Sequence, residues 1–188
     1  AIRQENIRLK ALLRLVDTTK DNVATARLIS SSASSIRRIA RISAGRLQGV
    51  LPGMPVRAAE GLIGRVMISG ANTADVMLLT DSQNIVPVRR ARDNLAAIST
   101  GLDDGTVEIR ALSPGLNPFR PGDILVTSGT GGLYSPNVPV AIVVDQRNGF
   151  AIGVPLASPA RVEAVLVQRP YDADIPPPVP PAPAAAPT

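Results

Sequence analysis

The sequence predicts a mainly β protein of two small antiparallel barrels, entered through one N-terminal helix. Three observations carry that expectation. Short β-branched runs recur about every eight to twelve residues, the spacing of barrels and sandwiches, and at least ten occur in the chain. Eighteen prolines and fifteen glycines punctuate 188 residues, as closely spaced turns require. The apolar spacing also changes near Asn22 from a helical period to alternation.

Composition narrows what such barrels can do. Apolar residues make up 45%, but with two Phe, two Tyr and no Trp the core must be packed by Val, Ile, Leu and Ala. Cysteine is absent, which excludes disulfides and thiolate metal sites. Histidine is absent too, so a transition-metal site would need carboxylates alone. No cofactor is expected. No run of about eighteen apolar residues, the length that crosses a bilayer, is present. The net charge of +5 is uneven: residues 1–50 hold ten basic and three acidic side chains, and the remaining 138 hold ten and twelve. A basic first segment suits an acidic partner, nucleic acid or an anionic membrane surface. Solvated arginines on ordinary strand faces account for it equally well.

In chain order, Ala1 to Val16 reads as a helix. Ile2, Leu9 and Val16 fall seven apart, and Leu12 and Leu13 widen the stripe, the pattern of a coiled-coil seam. Residues 1–18 are therefore expected to be the end of a dimerising coiled-coil helix. The pattern begins without an N-cap, so a longer helix is expected upstream. Alone, about fifteen helical residues are marginal in water.

From Asn22 onward, Val23 to Ser30 and Ile36 to Ser43 read as paired strands. Neither face of the second is cleanly apolar, which suggests a sheet edge or a partly exposed sheet. Further strands are expected at Pro55 to Ala58, Leu62 to Ile68, Asp75 to Leu79 and Ile85 to Arg90. After a break at Arg92 to Asn94 come Leu95 to Thr100, Thr106 to Leu112, Ile124 to Val126, Val138 to Val144, Ala151 to Leu156 and Val162 to Val167. The break divides the strands into a first barrel over 22–94 and a second over 95–169, with the last strand free to return to the first. Residues 170–188 form a Pro/Ala-rich tail, expected to be disordered or polyproline-like. Its PxxP spacings at Pro177–Pro180 and Pro178–Pro181 suit either a proline-binding groove or a plain spacer.

The segment Pro121 to Val144 carries the densest motif: strand, glycine loop, strand. A phosphate-cradling glycine loop needs a helix N-terminus behind it; here Pro136, Pro139 and a strand follow. A serine nucleophile at Ser128, with Asp81 or Asp123, would need a base that a chain without histidine does not supply. A nucleic-acid surface built on Arg37, Arg38, Arg41 and Arg46 lacks the aromatic side chains on which bases stack. Binding of a protein partner is the reading left. Leu133 and Tyr134 at the glycine loop and Phe150 at the hairpin tip Arg147 to Phe150 are the candidate anchors, with plugging of a barrel end as the alternative. Gly61, Gly64, Gly122, Gly129, Gly131 and Gly132 are assigned to backbone geometry.

Four stretches carry a family resemblance. They are EN-x-R-L at Glu5 to Leu9, GLIGRV at Gly61 to Val66, VMLLTDSQNIVPV at Val76 to Val88, and GDILVTSGTGGLYSPNVPVAIV at Gly122 to Val143. In order and spacing they resemble the extracytoplasmic part of the rod-shape-determining MreC family, over residues 5 to about 168. Ser135-Pro136-Asn137 replaces the usual Pro and Gly pattern after the aromatic, and Ala141 stands where a glycine is common. The resemblance implies two six-stranded barrels arranged as in a chymotrypsin-type protease but without catalytic residues. It also implies a non-enzymatic periplasmic scaffold, held in the inner membrane by an upstream transmembrane helix. Such a scaffold would bind and activate the elongation transpeptidase, a class B penicillin-binding protein, maintaining cell shape and directing lateral peptidoglycan synthesis. It would associate with MreD, RodZ and MreB, form a homo-dimer or filament, and bind no nucleic acid.

Overall fold

A computed structural model of the chain describes residues 2–9, 22–32, 38–113, 115 and 117–171. Residues 2–9 are helical. Twelve strands follow: β1 (Asn22–Ser32), β2 (Ile39–Ile42), β3 (Pro55–Arg57), β4 (Leu62–Ser69), β5 (Ala74–Leu78), β6 (Ile85–Arg90), β7 (Ala96–Gly101), β8 (Val107–Ala111), β9 (Ile124–Thr127), β10 (Pro139–Gln146), β11 (Ala151–Pro155) and β12 (Ala164–Gln168). All pairings are antiparallel, and they close two six-stranded barrels, β1-β12-β3-β4-β5-β2 and β10-β11-β8-β7-β6-β9.

Two expectations are corrected by this topology. Ile85–Arg90 belongs to the second barrel, so the division falls between β5 and β6 and not at Asn94. The break at Arg92 to Asn94 is the hairpin turn between β6 and β7, whose residues pair from Ile85↔Thr100 to Arg89↔Ala96. Asn94 takes the left-handed φ of 61° that such a turn uses. Nor does the second strand lie at an edge: β2 is paired on both sides, with β1 and with β5. Closure removes edges altogether. The final strand, β12, sits between β1 and β3 in the first barrel.

Period-2 alternation explains the cores. In β6 the inward positions are Val86, Val88 and Arg90 and the outward ones Ile85, Pro87 and Arg89. Pro87 is tolerated inside a closed barrel because of where it falls. Its carbonyl accepts from Ser128 N on the β9 side, while the β6–β9 ladder begins only at Val88↔Thr127, so the missing N–H stands at the ladder's start. The first core gathers Ala40, Ile42, Val50, Val56, Val66, Val76, Val165 and Val167. The second gathers Val86, Val88, Ile109, Leu125, Val140 and Val143 around Phe119 and Tyr134. Leu62 and Leu79, though carried by the first barrel's strand and its exit, pack into the second core.

The seam between the barrels is also polar. Asn84, fully buried on the connection from β5 to β6, donates from Nδ2 to the carbonyls of Met77 and Leu78, both at 3.1 Å. Leu156 N donates to Val140 O at 3.0 Å and Tyr171 N to Leu133 O at 3.0 Å. The chain leaving β11 is thus held to β10, and the chain leaving β12 in the first barrel is held to the glycine loop of the second.

Candidate functional site

Tested for chemistry, the glycine loop holds none. The Ser128 hydroxyl accepts from Thr130 N at 3.2 Å, a local turn contact. The two carboxylates that would assist it are engaged elsewhere. Asp81 accepts from the backbone N–H groups of Arg38 at 3.0 Å and Gln83 at 2.9 Å. Asp123 accepts from Arg90 Nη1 at 3.0 Å and from Arg120 N at 3.0 Å. Among the described residues no three His, Cys, Asp or Glu side chains gather as a metal site would require. Ser128, Asp81 and Asp123 do not form an active site.

The arginines proposed for nucleic acid are also divided. Arg41 and Asp75 form a two-pronged pair, 2.8 and 3.1 Å, across β2 and β5. Arg38 reaches over the seam and donates from Nη2 to Asp103 O at 2.6 Å. Arg46 is exposed, and Arg37 lies outside the described residues. Among the described residues these arginines form no continuous basic stripe.

The aromatic candidates divide differently from the expectation. Tyr134 is not exposed: it is 2% accessible within the second core, and its hydroxyl points to Asn84 Oδ1 at 3.4 Å. Burial pushes its phenol up to about 12. Leu133 is half-buried and packs on the same core. The glycine loop is drawn onto the barrel because the chain after β12 clasps it through Tyr171, a contact no local pattern announces. Phe150 is half-buried at the β10–β11 hairpin, with the Arg110 guanidinium 5.1 Å from its ring centre. Asn117 Nδ2 fastens that hairpin by donating to Arg147 O and Phe150 O.

Of the helix positions, Ile2 is 81% exposed and Leu9 is exposed beside it; Leu12, Leu13 and Val16 lie outside the described residues. The helical segment touches the first barrel through Arg8, which pairs with Glu60 at 3.2 Å and donates to Arg161 O at 2.8 Å. A β-carbon on Gly64 would stand 2.0 Å from Met77 O, so only glycine allows β4 and β5 to approach as they do. Gly61, Gly122, Gly129, Gly131 and Gly132 all have positive φ.

Sequence reading missed two exposed apolar groups. One comprises Leu47, 74% exposed on the 3-10 turn Arg46–Gln48, and the exposed Leu51 and Ile68 of the first barrel. The other is the outer wall of β9, β10 and β11, where Ile124 pairs with Ile142 and Ile142 with Val154. The signal for the second was present. Ile124 to Val126 and Val140 to Val144 are apolar at both parities, which in a barrel strand leaves one parity facing water.

Fold and site together define a class: a two-barrel protein that offers apolar surface and, among the described residues, no catalytic constellation. Comparison with known proteins specifies it. Residues 28–169 match the family model for the barrel core of the rod shape-determining protein MreC, and the chain belongs to that family. The cell shape-determining protein MreC of Haemophilus influenzae is 34% identical over 93% of this chain and 51% of its own length. Its counterpart in Caulobacter vibrioides is 34% identical over 89% and 48%. The chain therefore spans about half the length of these curated relatives. A crystal structure of MreC from Pseudomonas aeruginosa matches with a TM-score of 0.72 and 32% identity, over 78% of this chain and 99% of that one. A complex between Penicillin-Binding Protein (PBP2) and MreC from Helicobacter pylori also matches, at TM-score 0.52 over 78% of this chain and 96% of that one. Its 12% identity makes that a likeness of fold alone.

Proposed function

We propose that this chain is the periplasmic, non-enzymatic part of a membrane-anchored cell-shape scaffold, and that it works by holding the elongation transpeptidase, a class B penicillin-binding protein. The observation that carries this reading is the family match over 28–169, in a chain with no histidine or cysteine to do chemistry. A relative captured in a complex with a penicillin-binding protein names the kind of partner. The mechanism is differential binding. If the barrels hold one conformation of the transpeptidase more tightly than another, they raise its population by the ratio of the two affinities. The exposed Ile2 and Leu9, seven apart on one helix face, supply part of a seam for self-association into a dimer or filament. MreD, RodZ and MreB would be met through the remainder of such a protein, which would also carry the inner-membrane helix.

The test is direct binding of the purified chain to the periplasmic region of the elongation transpeptidase from the same cell. Saturable association with Kd at or below about 10 µM, near −7 kcal/mol, is expected. Absence of association at a partner concentration tenfold higher would remove the reading. The same titration against single-stranded RNA is expected to give none.

A further inference from the structure

Arg57 ends β3 and faces the seam between the barrels. Val56, Val165 and Val167 point into the first core, so Arg57 and its cross-strand neighbours, Leu166 on β12 and Leu62 on β4, point outward. Both leucines are buried nonetheless, and Leu62 packs into the second core. The half-buried Arg57 therefore lies on an apolar bed where one barrel meets the other. Its Nε is enclosed and has no hydrogen-bond partner, and its Nη1 and Nη2 bond to no described residue. Burial pushes the guanidinium below its ordinary value, and no neighbouring charge or hydrogen bond works the other way. Glu60, three residues on in the β3–β4 turn, is taken by Arg8 at 3.2 Å.

Arg65 adds a second unanswered cation on the same face. Pro55 lies opposite Arg65 and Arg57 opposite Leu62, which makes the two arginines diagonal neighbours, about 7–8 Å apart at the backbone and within reach of long side chains. Arg65 is half-buried and pairs with no carboxylate among the described residues. Its charge reaches the Tyr134 phenol beside the glycine loop. Two like charges drawn partly out of water repel more than they would in it, and an orphaned buried donor calls for a group that satisfies it. We propose that Arg57 and Arg65 form a phosphate site in the seam, taking the phosphate of a small phosphomonoester or of a lipid headgroup. A planar guanidinium fork matches two phosphate oxygens at once. A tetrahedral phosphate has oxygens left for the second arginine and, as a monoester, close to two negative charges to set against the two cations. A carboxylate would be used up by one fork and would answer one charge.

The experiment follows thermal unfolding of the chain and of its Arg57→Met, Arg65→Met and Arg46→Met variants by circular dichroism, near pH 8 and at constant ionic strength set with chloride. Inorganic phosphate at about 10 mM is expected to raise the wild-type midpoint by about 3 °C or more, and those of Arg57→Met and Arg65→Met by less than about 1 °C. Arg46 is exposed on the 3-10 turn, so Arg46→Met should respond as wild type does, which separates a site from general salt and net-charge effects. Without phosphate, Arg57→Met is expected to melt at or above wild type, since an unpaired charge has left an apolar bed. Should Arg57→Met not fold, Arg57→Lys replaces it; it keeps the charge without the fork, and calorimetry is expected to show phosphate bound about tenfold more weakly. No response of wild type to phosphate, or an equal response in wild type and Arg57→Met, overturns the proposal. Acetate acting as strongly as phosphate overturns the choice of phosphate. Phosphatidylglycerol vesicles that sediment wild type but not Arg57→Met, with phosphate competing, assign the site to a headgroup; phosphate binding without sedimentation assigns it to a soluble ester.

Discussion

Gly61 and Pro139 meet across the seam between the barrels, and a β-carbon on Gly61 would stand 2.5 Å from the Pro139 carbonyl oxygen. The contact joins the β3–β4 turn of one barrel to the first residue of β10 in the other. At φ +155° Gly61 also occupies backbone space that L side chains rarely take. Gly61→Ala is therefore expected to cost about 2 kcal/mol or more, since backbone strain and a backbone clash add. Gly53→Ala separates the two contributions: its φ is +90° with nothing within 4 Å, so only about 1 kcal/mol is expected. Urea midpoints of the two variants measure this. Equal losses would mean that the barrels shift freely past each other at this contact.

Tyr134 and Asn84 give a second prediction. Tyr134→Phe keeps the ring in the second core and loses only a long hydrogen bond, so a loss of about 1 kcal/mol or less is expected. Tyr134→Ala empties a large buried site and should cost about 3–5 kcal/mol. A binding defect in Tyr134→Ala would then reflect the core and not a contact surface. Raised burial of the phenol also has a pH signature. The group is harder to ionise folded than unfolded, so its stabilisation is whole below its ordinary value of 10.0 and is lost as pH rises toward about 12. Denaturant melts from pH 9 to 12 should show wild type losing stability that Tyr134→Phe keeps.

Asn84 holds the β5–β6 connection through the Met77 and Leu78 carbonyls. Its replacement by leucine keeps the branched shape and removes the donor, leaving buried carbonyls without this partner. A loss of about 2–3 kcal/mol is expected, read from the denaturation midpoint. A loss under 0.5 kcal/mol would show that another donor takes over.

How much of this was legible in the sequence follows from the range of the interactions. Strands were readable because alternation is local: Ile85–Arg90 has the bounds its pattern suggests, and the β-branched runs before and after it became strands. Barrel membership was not, because the hairpin turn at Asn94 that joins β6 to β7 looks in sequence like a linker, and the pairing on the other side of β6, Val88↔Thr127, lies nearly forty residues downstream. Tyr134 misled for a similar reason. A glycine-rich loop reads as exposed, and the contacts that fold it onto the barrel, with Asn84 and the Tyr171 backbone, are distant in sequence. The wall at Ile124, Ile142 and Val154 was hidden by its own hydrophobicity, since runs apolar at both parities suggest burial on both faces.

The last prediction concerns Arg90, which is buried at the inner face of β6 and serves two carboxylates at once. It grips Asp93 with Nε and Nη2 at 2.9 and 2.6 Å, and Asp123 with Nη1 at 3.0 Å, while Nη1 also donates to Pro118 O at 2.8 Å. The Phe119 ring centre lies 5.6 Å from the guanidinium carbon. The Arg90 hydrogen bonds hold the Asp93 carboxyl down to about 2. Burial works against the Asp123 carboxylate, yet the Arg120 N–H with Arg90 and Arg92 keeps it below its ordinary value. Both groups thus release their protons more readily folded than unfolded. The stability they contribute is complete above the ordinary value of 3.8 and is lost as pH falls from there toward about 2. With no histidine or cysteine in the chain, no side chain has its ordinary pKa between about 5.5 and 8. Melting temperatures should be flat across that interval and drop below pH 4, more shallowly in Asp93→Asn. Arg90→Met removes the cation and leaves half-buried Asp123 with Arg92 and the Arg120 N–H alone, which should cost about 2–3 kcal/mol at neutral pH. An Arg90→Met protein as stable as wild type, or an acid limb unchanged in Asp93→Asn, would show that this cluster does not hold the second barrel closed.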